Sequence, residues 1–294
     1  MGDGEAAILV RGLRKTYKDN VAVDRVDLEV ARGEIFALLG PNGAGKTTTV
    51  EILEGYRKRD SGEVSVLGVD PALTNGRRGT STDPVARRWR ERIGIVLQGT
   101  GEFDELTVGE LVRHFAQFYP SPDDPAAVIA QVGLTDKTAA RTHTLSGGQK
   151  RRLDVALGIV GKPELLFLDE PTTGFDPAAR RDFWALIREL QARGTTIVLT
   201  THYLDEAEAL ADRVGVIAGG RLLAVDTPRL LGNRDAALAT VSWRGPDGSW
   251  ERTQSATPTA VVADLAERFG GEVPGLTVTR PTLEDVYLDM IGAG

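Results

Sequence analysis

The stretch Gly40-Pro41-Asn42-Gly43-Ala44-Gly45-Lys46-Thr47 has glycines, a lysine and a threonine at the spacing that lets a chain wrap around phosphate. Glycines allow backbone N–H groups to curl around an anion without Cβ clashes. A helix beginning at Lys46 aims its partly positive end at the same anion. Lys46 places a point charge on the outer phosphates, and the Thr47 hydroxyl can ligate Mg²⁺. The stretch therefore predicts an ATP site.

A second chemical pair, Asp169 and Glu170, closes an apolar run from Leu165 to Leu168. At the carboxyl end of a parallel strand such side chains face the ligand crevice of an open α/β sheet. Asp169 suits the Mg²⁺ side, and Glu170 suits polarising an attacking water. The bland alternative is a solvated pair capping the turn at Pro171. Gly40, Gln98 and His202 each follow an apolar run as well: Ile35 to Leu39, Ile93 to Leu97, and Ile197 to Thr201. If those runs are parallel strands, the four sites converge along one sheet edge.

Leu145-Ser146-Gly147-Gly148-Gln149 precedes a helix with Leu153, Leu157 and Val160 on one face. Ser146 is a natural N-cap, and the glycines bare further N–H groups. Either a second anion binds here, or this helix start completes a site on another molecule, or it is a capped helix and nothing more.

The elements that must position these residues can be read from periodicity. Apolar runs alternate with helical segments, which suggests parallel strands covered on both faces. A helix over Lys46 to Leu53 follows the glycine stretch. Another includes Phe183, Leu186, Ile187 and Leu190 on one face and stops at Gly194. From about residue 99 to 162 helical patterns dominate. Thr107 and Glu110 have capping-box spacing, and Asp124 to Val132 suits a second helix. This middle region reads as a helical subdomain inserted in the α/β core.

Near Asp226, Thr227 and Pro228 the composition changes, giving domains at 1–226 and 227–294. In the second, Ala237 to Trp243 and Ser249 to Thr253 suggest a strand pair, and Val261, Val262, Leu265 and Phe269 an amphipathic helix. Leu276 to Thr279 and Leu283 to Ile291 complete a small α+β unit. Thr74 to Asp83 reads as a mobile surface loop. The arginines 77, 78, 87, 88, 90 and 92 read as a solvated basic loop.

Composition excludes several classes. The chain has 294 residues and no cysteine, so a disulfide partner, thiolate metal site or thiol catalysis is ruled out. A net charge of −7 argues against nucleic acid as the main partner. No apolar stretch is long enough to span a bilayer, and the N-terminus lacks a signal-peptide pattern, so any spanning must come from another chain.

With these motifs in order, the sequence resembles the ATP-binding subunits of ABC transporters over roughly residues 8 to 226. Gly40 to Thr47 is similar to their Walker A loop, Leu165 to Glu170 to Walker B, and Leu145 to Gln149 to the signature pentapeptide. Gln98 sits at the Q-loop position, Asp176 in the D-loop (where Phe175 replaces the usual leucine), and His202 at the switch histidine. Tyr17, which alone would pass for a core residue, matches the aromatic that stacks on adenine. Gly147 to Pro177 and the tail Pro281 to Leu288 resemble the drug-exporter branch typified by daunorubicin-resistance ATPases, whose membrane partners are of the ABC-2 type.

The resemblance implies a P-loop NTPase fold and an ATP-bound homodimer packed head to tail. Ser146, Gly147, Gly148 and Gln149 of one copy would then meet the γ-phosphate held by Lys46 of the other, with Asp176 and Thr48 also at the nucleotide. It implies Mg²⁺ near Thr47, Gln98 and Asp169, and catalysis by Glu170 with His202, Lys46 and Gln98. The expected role is ATP-driven export of a drug, antibiotic or lipid-like compound through a separate ABC-2 type permease, on the cytoplasmic face of the membrane. The alternatives are an ABC ATPase unrelated to transport and a hydrolysis-deficient half of an asymmetric pair. The 228–294 tail is open between dimer support, regulation and a structural role.

Overall fold

The computed structural model describes residues 6–74, 83–96 and 103–292. The chain divides into two compact units, Met1–Val225 and Asp226–Gly294. The first runs β1 (Ile8–Tyr17), β2 (Asn20–Val30), β3 (Ile35–Leu39), α1 (Lys46–Leu53), β4 (Ser61–Val66), α2 (Pro71–Thr74), α3 (Pro84–Glu91) and β5 (Ile93–Val96). It continues with α4 (Val108–Ala116), α5 (Pro125–Gln131), α6 (Gly147–Ile159), β6 (Leu165–Asp169), α7 (Pro177–Ala192), β7 (Thr196–Thr201), α8 (Leu204–Leu210), β8 (Arg213–Ala218) and β9 (Arg221–Asp226).

A six-stranded sheet of order β5-β6-β7-β3-β8-β9 forms the base of the site. The pairs β5/β6, β6/β7, β7/β3 and β3/β8 are parallel. Every residue of β3 and of β7 is buried. Unbroken apolar or β-branched runs of this kind belong to strands covered on both faces. Because β6, β7 and β3 are neighbours with one direction, Asp169, His202 and Gly40 come out side by side at one edge.

For the first unit the sequence pattern pointed to parallel strands, yet β2, β1 and β4 form a separate antiparallel sheet. Its alternation is broken by register shifts along β1 and by left-handed backbone at Gly12 and Arg25 (φ 58° and 51°). Each extra residue moves the buried set to the other phase, so a two-residue period does not persist. Between this sheet and the parallel one lies the core, where Ile8, Val10 and Leu28 join Phe36, Phe167 and Val198, with Ile52 and Leu53 of α1.

The helices α4, α5 and α6 pack on one another. Thr107 and Glu110 form the capping box of α4, and Asp124 caps α5. The expected basic loop is corrected where it is described: arginines 87, 88 and 90 lie on α3, which Asp83 caps. Arg87 pairs with Glu91, and Arg92 with Glu164. The stretch from residue 75 to 82, with Arg77 and Arg78, lies outside the described residues.

The second unit holds β10 (Ala239–Arg244), β11 (Trp250–Ser255), α9 (Pro258–Phe269), β12 (Thr277–Thr279) and α10 (Leu283–Gly292). Its sheet, β11-β10-β12, is antiparallel. One face buries Val241 and Trp243 against Leu265, with Val261, Val262 and Phe269 of α9 around them. Gly270, at φ 70°, ends that helix in the left-handed conformation. α10 packs on the short helical turn Leu231–Ala236 of the same unit. Among the described residues no helix is long and apolar enough to cross a membrane.

Candidate active site

The glycine stretch joins β3 to α1. Gly45 stands at the helix start with φ 104°, and a Cβ there would lie 2.4 Å from the Ala22 carbonyl oxygen. Gly40 is as tightly confined, since a Cβ there would meet the Ile217 carbonyl oxygen at 2.2 Å. Only glycine fits these two positions. Lys46 is 5% exposed, and its Nζ donates to the carbonyls of Gly40 at 2.6 Å and Pro41 at 3.2 Å. Burial pushes its ammonium below the usual lysine value, while Glu170 and Asp169 pull it back up.

These residues border a cleft of about 270 Å³, lined by Tyr17, Asn20 and Ala22 on one side and by Asn42 to Thr48 and Glu170 on the other. Tyr17 ends β1, with the guanidinium of Arg57 5.2 Å from its ring centre. It thus presents an aromatic wall beside a phosphate-type loop.

Asp169 is the last residue of β6, and Glu170 follows it. The Thr200 hydroxyl of β7 donates to the Asp169 carboxylate. The Glu170 N–H donates to the Thr200 carbonyl and hydroxyl, both at 3.1 Å. His202 Nδ1 lies 3.1 Å from Glu170 Oε1, and its ring sits 4.1 Å from that of Tyr203. The available donors near the loop are oxygens: the Thr47 hydroxyl and the two carboxylates. Among the described residues no group of three or more His, Cys, Asp or Glu could hold a metal by itself. Few protein oxygens beside a phosphate loop fit Mg²⁺, which takes one or two side chains and completes its shell with phosphate and water.

The helix α6 starts with a complete capping box. Gln149 N–H donates to the Ser146 hydroxyl at 3.3 Å, and the Gln149 side chain accepts from Ser146 N–H at 3.0 Å. A Cβ on Gly147 or Gly148 would meet nothing within 4 Å; Gly147 is exposed and Gly148 half-buried. A second cleft of about 360 Å³ runs beneath this start, lined by Gly147, Lys150, Arg151, Asp154, Glu170 and the turn Thr173 to Phe175. Glu170 therefore borders both clefts. Asp176 caps α7, accepting from the N–H groups of Ala178 and Ala179 at 2.9 Å. Phe175 packs edge-on against Phe183, 5.6 Å between ring centres.

Of the residues singled out by sequence, the structure brings Tyr17, Asn42 to Thr48 and Glu170 around one cleft, with Gly40 and Pro41 bonded to Lys46. Asp169 and His202 adjoin Glu170. Ser146 to Gln149 and Asp176 stand apart from the first cleft, towards the second. Gln98 lies outside the described residues. Sequence reasoning missed Asn20, Ala22, Thr200 and Arg151. Thr200 was hidden inside an apolar strand. Arg151 had one readable sign, an opposite charge at Asp154 on a helix otherwise buried along this side. A further hollow of about 300 Å³, lined by Lys162, Glu164 and Thr195 among others, lies by the amino ends of β6 and β7 and holds none of the candidate nucleotide-site residues.

Comparison with known proteins gives matches in both sequence and fold. The profile described as ABC transporter matches residues 23–173. The Nod factor export ATP-binding protein I of Burkholderia pseudomallei is 37% identical, over 98% of this chain and 97% of that protein. The daunorubicin resistance ATP-binding protein DrrA3 of Streptomyces coeruleorubidus is 34% identical, over 98% of this chain and 96% of that one. Among solved structures, cbiO1 from Clostridium perfringens, part of the ABC transporter complex cbiONQ, superposes with a TM-score of 0.67. It is 30% identical and covers 76% of this chain and 89% of its own.

Proposed function

The chain belongs to the ABC transporter family as an ATP-hydrolysing subunit of the export type, and on that footing we propose how its residues divide the work. The loop from Gly40 to Thr48 cradles the phosphates, with Lys46 on the outer ones, and Tyr17 lies against the adenine. Thr47 and Asp169, with Gln98, would hold Mg²⁺, which when bound would neutralise charge on the phosphates. Glu170 accepts a proton from the attacking water, and His202 steadies Glu170 and the γ-phosphate.

The observation that carries the proposal is the place of Glu170 on both clefts. A base bordering the loop on one side and the foot of the signature helix on the other suits a site closed by a second copy. Ser146, Gly147, Gly148 and Gln149 of that copy, with Asp176, complete the shell around the γ-phosphate. ATP closes the pair and hydrolysis reopens it. The movement drives a separate ABC-2 type permease, with this chain on the cytoplasmic face of the membrane. The exported compound is a drug, antibiotic or lipid-like molecule; the relatives' names, Nod factor export and daunorubicin resistance, support export as the role. The unit after Asp226 is an accessory domain that supports the dimer or its regulation. Deleting residues 228–294 should then weaken dimerisation or alter turnover, and unchanged behaviour in both would sink that role.

The central test is Glu170→Gln. It should bind ATP, lose nearly all phosphate release, and elute as a dimer only with ATP and Mg²⁺. A variant that stays monomeric with ATP would overturn the shared site, and one that releases phosphate at the parent rate would overturn the base.

A further inference from the structure

The turn that carries Glu170 is gripped by one guanidinium. Arg151 of α6 donates from Nη2 to the Asp169 carbonyl at 2.6 Å and from Nε to the Pro171 carbonyl at 3.1 Å. These are the carbonyls of the residues immediately before and after Glu170. Arg151 is 8% exposed, and Asp154 one turn further along α6 lies 3.9 Å away. Glu170 itself has φ 42°. That left-handed conformation is unfavourable for a residue with a Cβ and persists only where its surroundings fix it. Thr200 fixes the N–H of Glu170 on one side. The planar fork of Arg151 fixes the carbonyls around it, which a single-point ammonium could not do for both at once.

The same helix begins at Ser146, Gly147 and Gly148. Arg151 thus connects the helix start that faces the second cleft with the backbone that aims Glu170.

We propose that Arg151 is a positioning residue for Glu170, which locks the general base to the signature helix through the carbonyls of Asp169 and Pro171. The inference rests on the reading of Glu170 as that base. A shift of the α6 start on meeting a partner's nucleotide is carried by this fork to the carboxylate of the same chain. Displacement of a catalytic group by about 1 Å costs on the order of 10²-fold in rate, so a modest loosening is enough to matter.

Arg151→Met tests it in the full-length chain. Its kcat should fall about tenfold or more, while ATP affinity, measured by equilibrium binding, stays within about twofold. In the Glu170→Gln background the same substitution should leave the residual single-turnover rate unchanged, because it acts through the missing carboxylate. Arg151→Lys should recover only part of the loss. Parent-like kcat, an equal loss of affinity, or a further multiplicative loss in the Glu170→Gln background would each overturn the inference. If Arg151→Met loses its helical circular dichroism, Arg151→Lys is judged by the same three readouts. Full turnover in Glu170→Gln alone would instead defeat the reading of the base, whatever Arg151 does.

Discussion

His202 Nδ1 lies 3.1 Å from Glu170 Oε1, across the ends of two adjacent parallel strands. The ring is held against Tyr203, and the Arg180 guanidinium lies 5.0 Å from the Tyr203 ring centre. The imidazole therefore has a fixed orientation towards the carboxylate. His202→Ala should leave ATP binding near the parent level and lower kcat by about 10²-fold. Stopped-flow phosphate release beside equilibrium nucleotide binding separates the two effects. A large loss of affinity with parent-like kcat would contradict this role.

Gly45→Ala attacks the loop through its backbone. At φ 104° any side chain is strained, and the new Cβ would sit 2.4 Å from the Ala22 carbonyl oxygen. Because that oxygen is main chain, the loop must move rather than the neighbour. The expected cost is on the order of 1–3 kcal/mol of stability, with ATP affinity lowered as well. Thermal unfolding and ATP titration of the variant check both, and parent values in each would refute the argument.

Much of this site was legible in sequence because its chemistry sits at strand ends. Buried runs such as Ile35 to Leu39 show where a parallel strand lies, and the residue that follows must then face the crevice. What sequence could not show were contacts made across elements. Thr200 looks like one more β-branched residue of β7, yet its hydroxyl donates to Asp169. Arg151 looks like a surface charge beside Lys150 and Arg152, yet it is buried against the backbone of β6. The antiparallel sheet escaped for a different reason. Its bulges interrupt the two-residue period, and only pairing with a neighbouring strand shows which phase is buried.

Tyr17 offers its ring to the loop cleft rather than to the core. Tyr17→Ala should raise the Kd for ATP about tenfold, in line with the loss of one aromatic stacking contact, and leave kcat at saturating ATP unchanged. Tyr17→Trp should bind at least as well as the parent. Isothermal titration with ATP measures both. Unchanged affinity in the alanine variant would return Tyr17 to a packing role.

Glu206 gives a pH-dependent prediction with a definite sign. Its side chain is fully buried on α8, and its carboxylate has only loose hydrogen-bonding contacts, from Thr201, Thr172 and Trp184, none of ideal geometry. Burial raises its pKa above the usual 4.5. Thr201, Thr172 and Trp184 nearby, and the charge of Arg180, oppose that rise without cancelling it. Above about pH 4.5 the folded chain therefore keeps a proton that the unfolded chain has lost. Stability from this group is then fully present below that value and declines as pH rises through the elevated folded pKa. Glu206→Gln keeps the shape and cannot ionise. Its melting temperature relative to the parent should climb as the buffer goes from about pH 5 towards about pH 8. Thermal unfolding of both proteins across that range is the measurement, and a constant difference between them would show that Glu206 does not hold its proton in the fold.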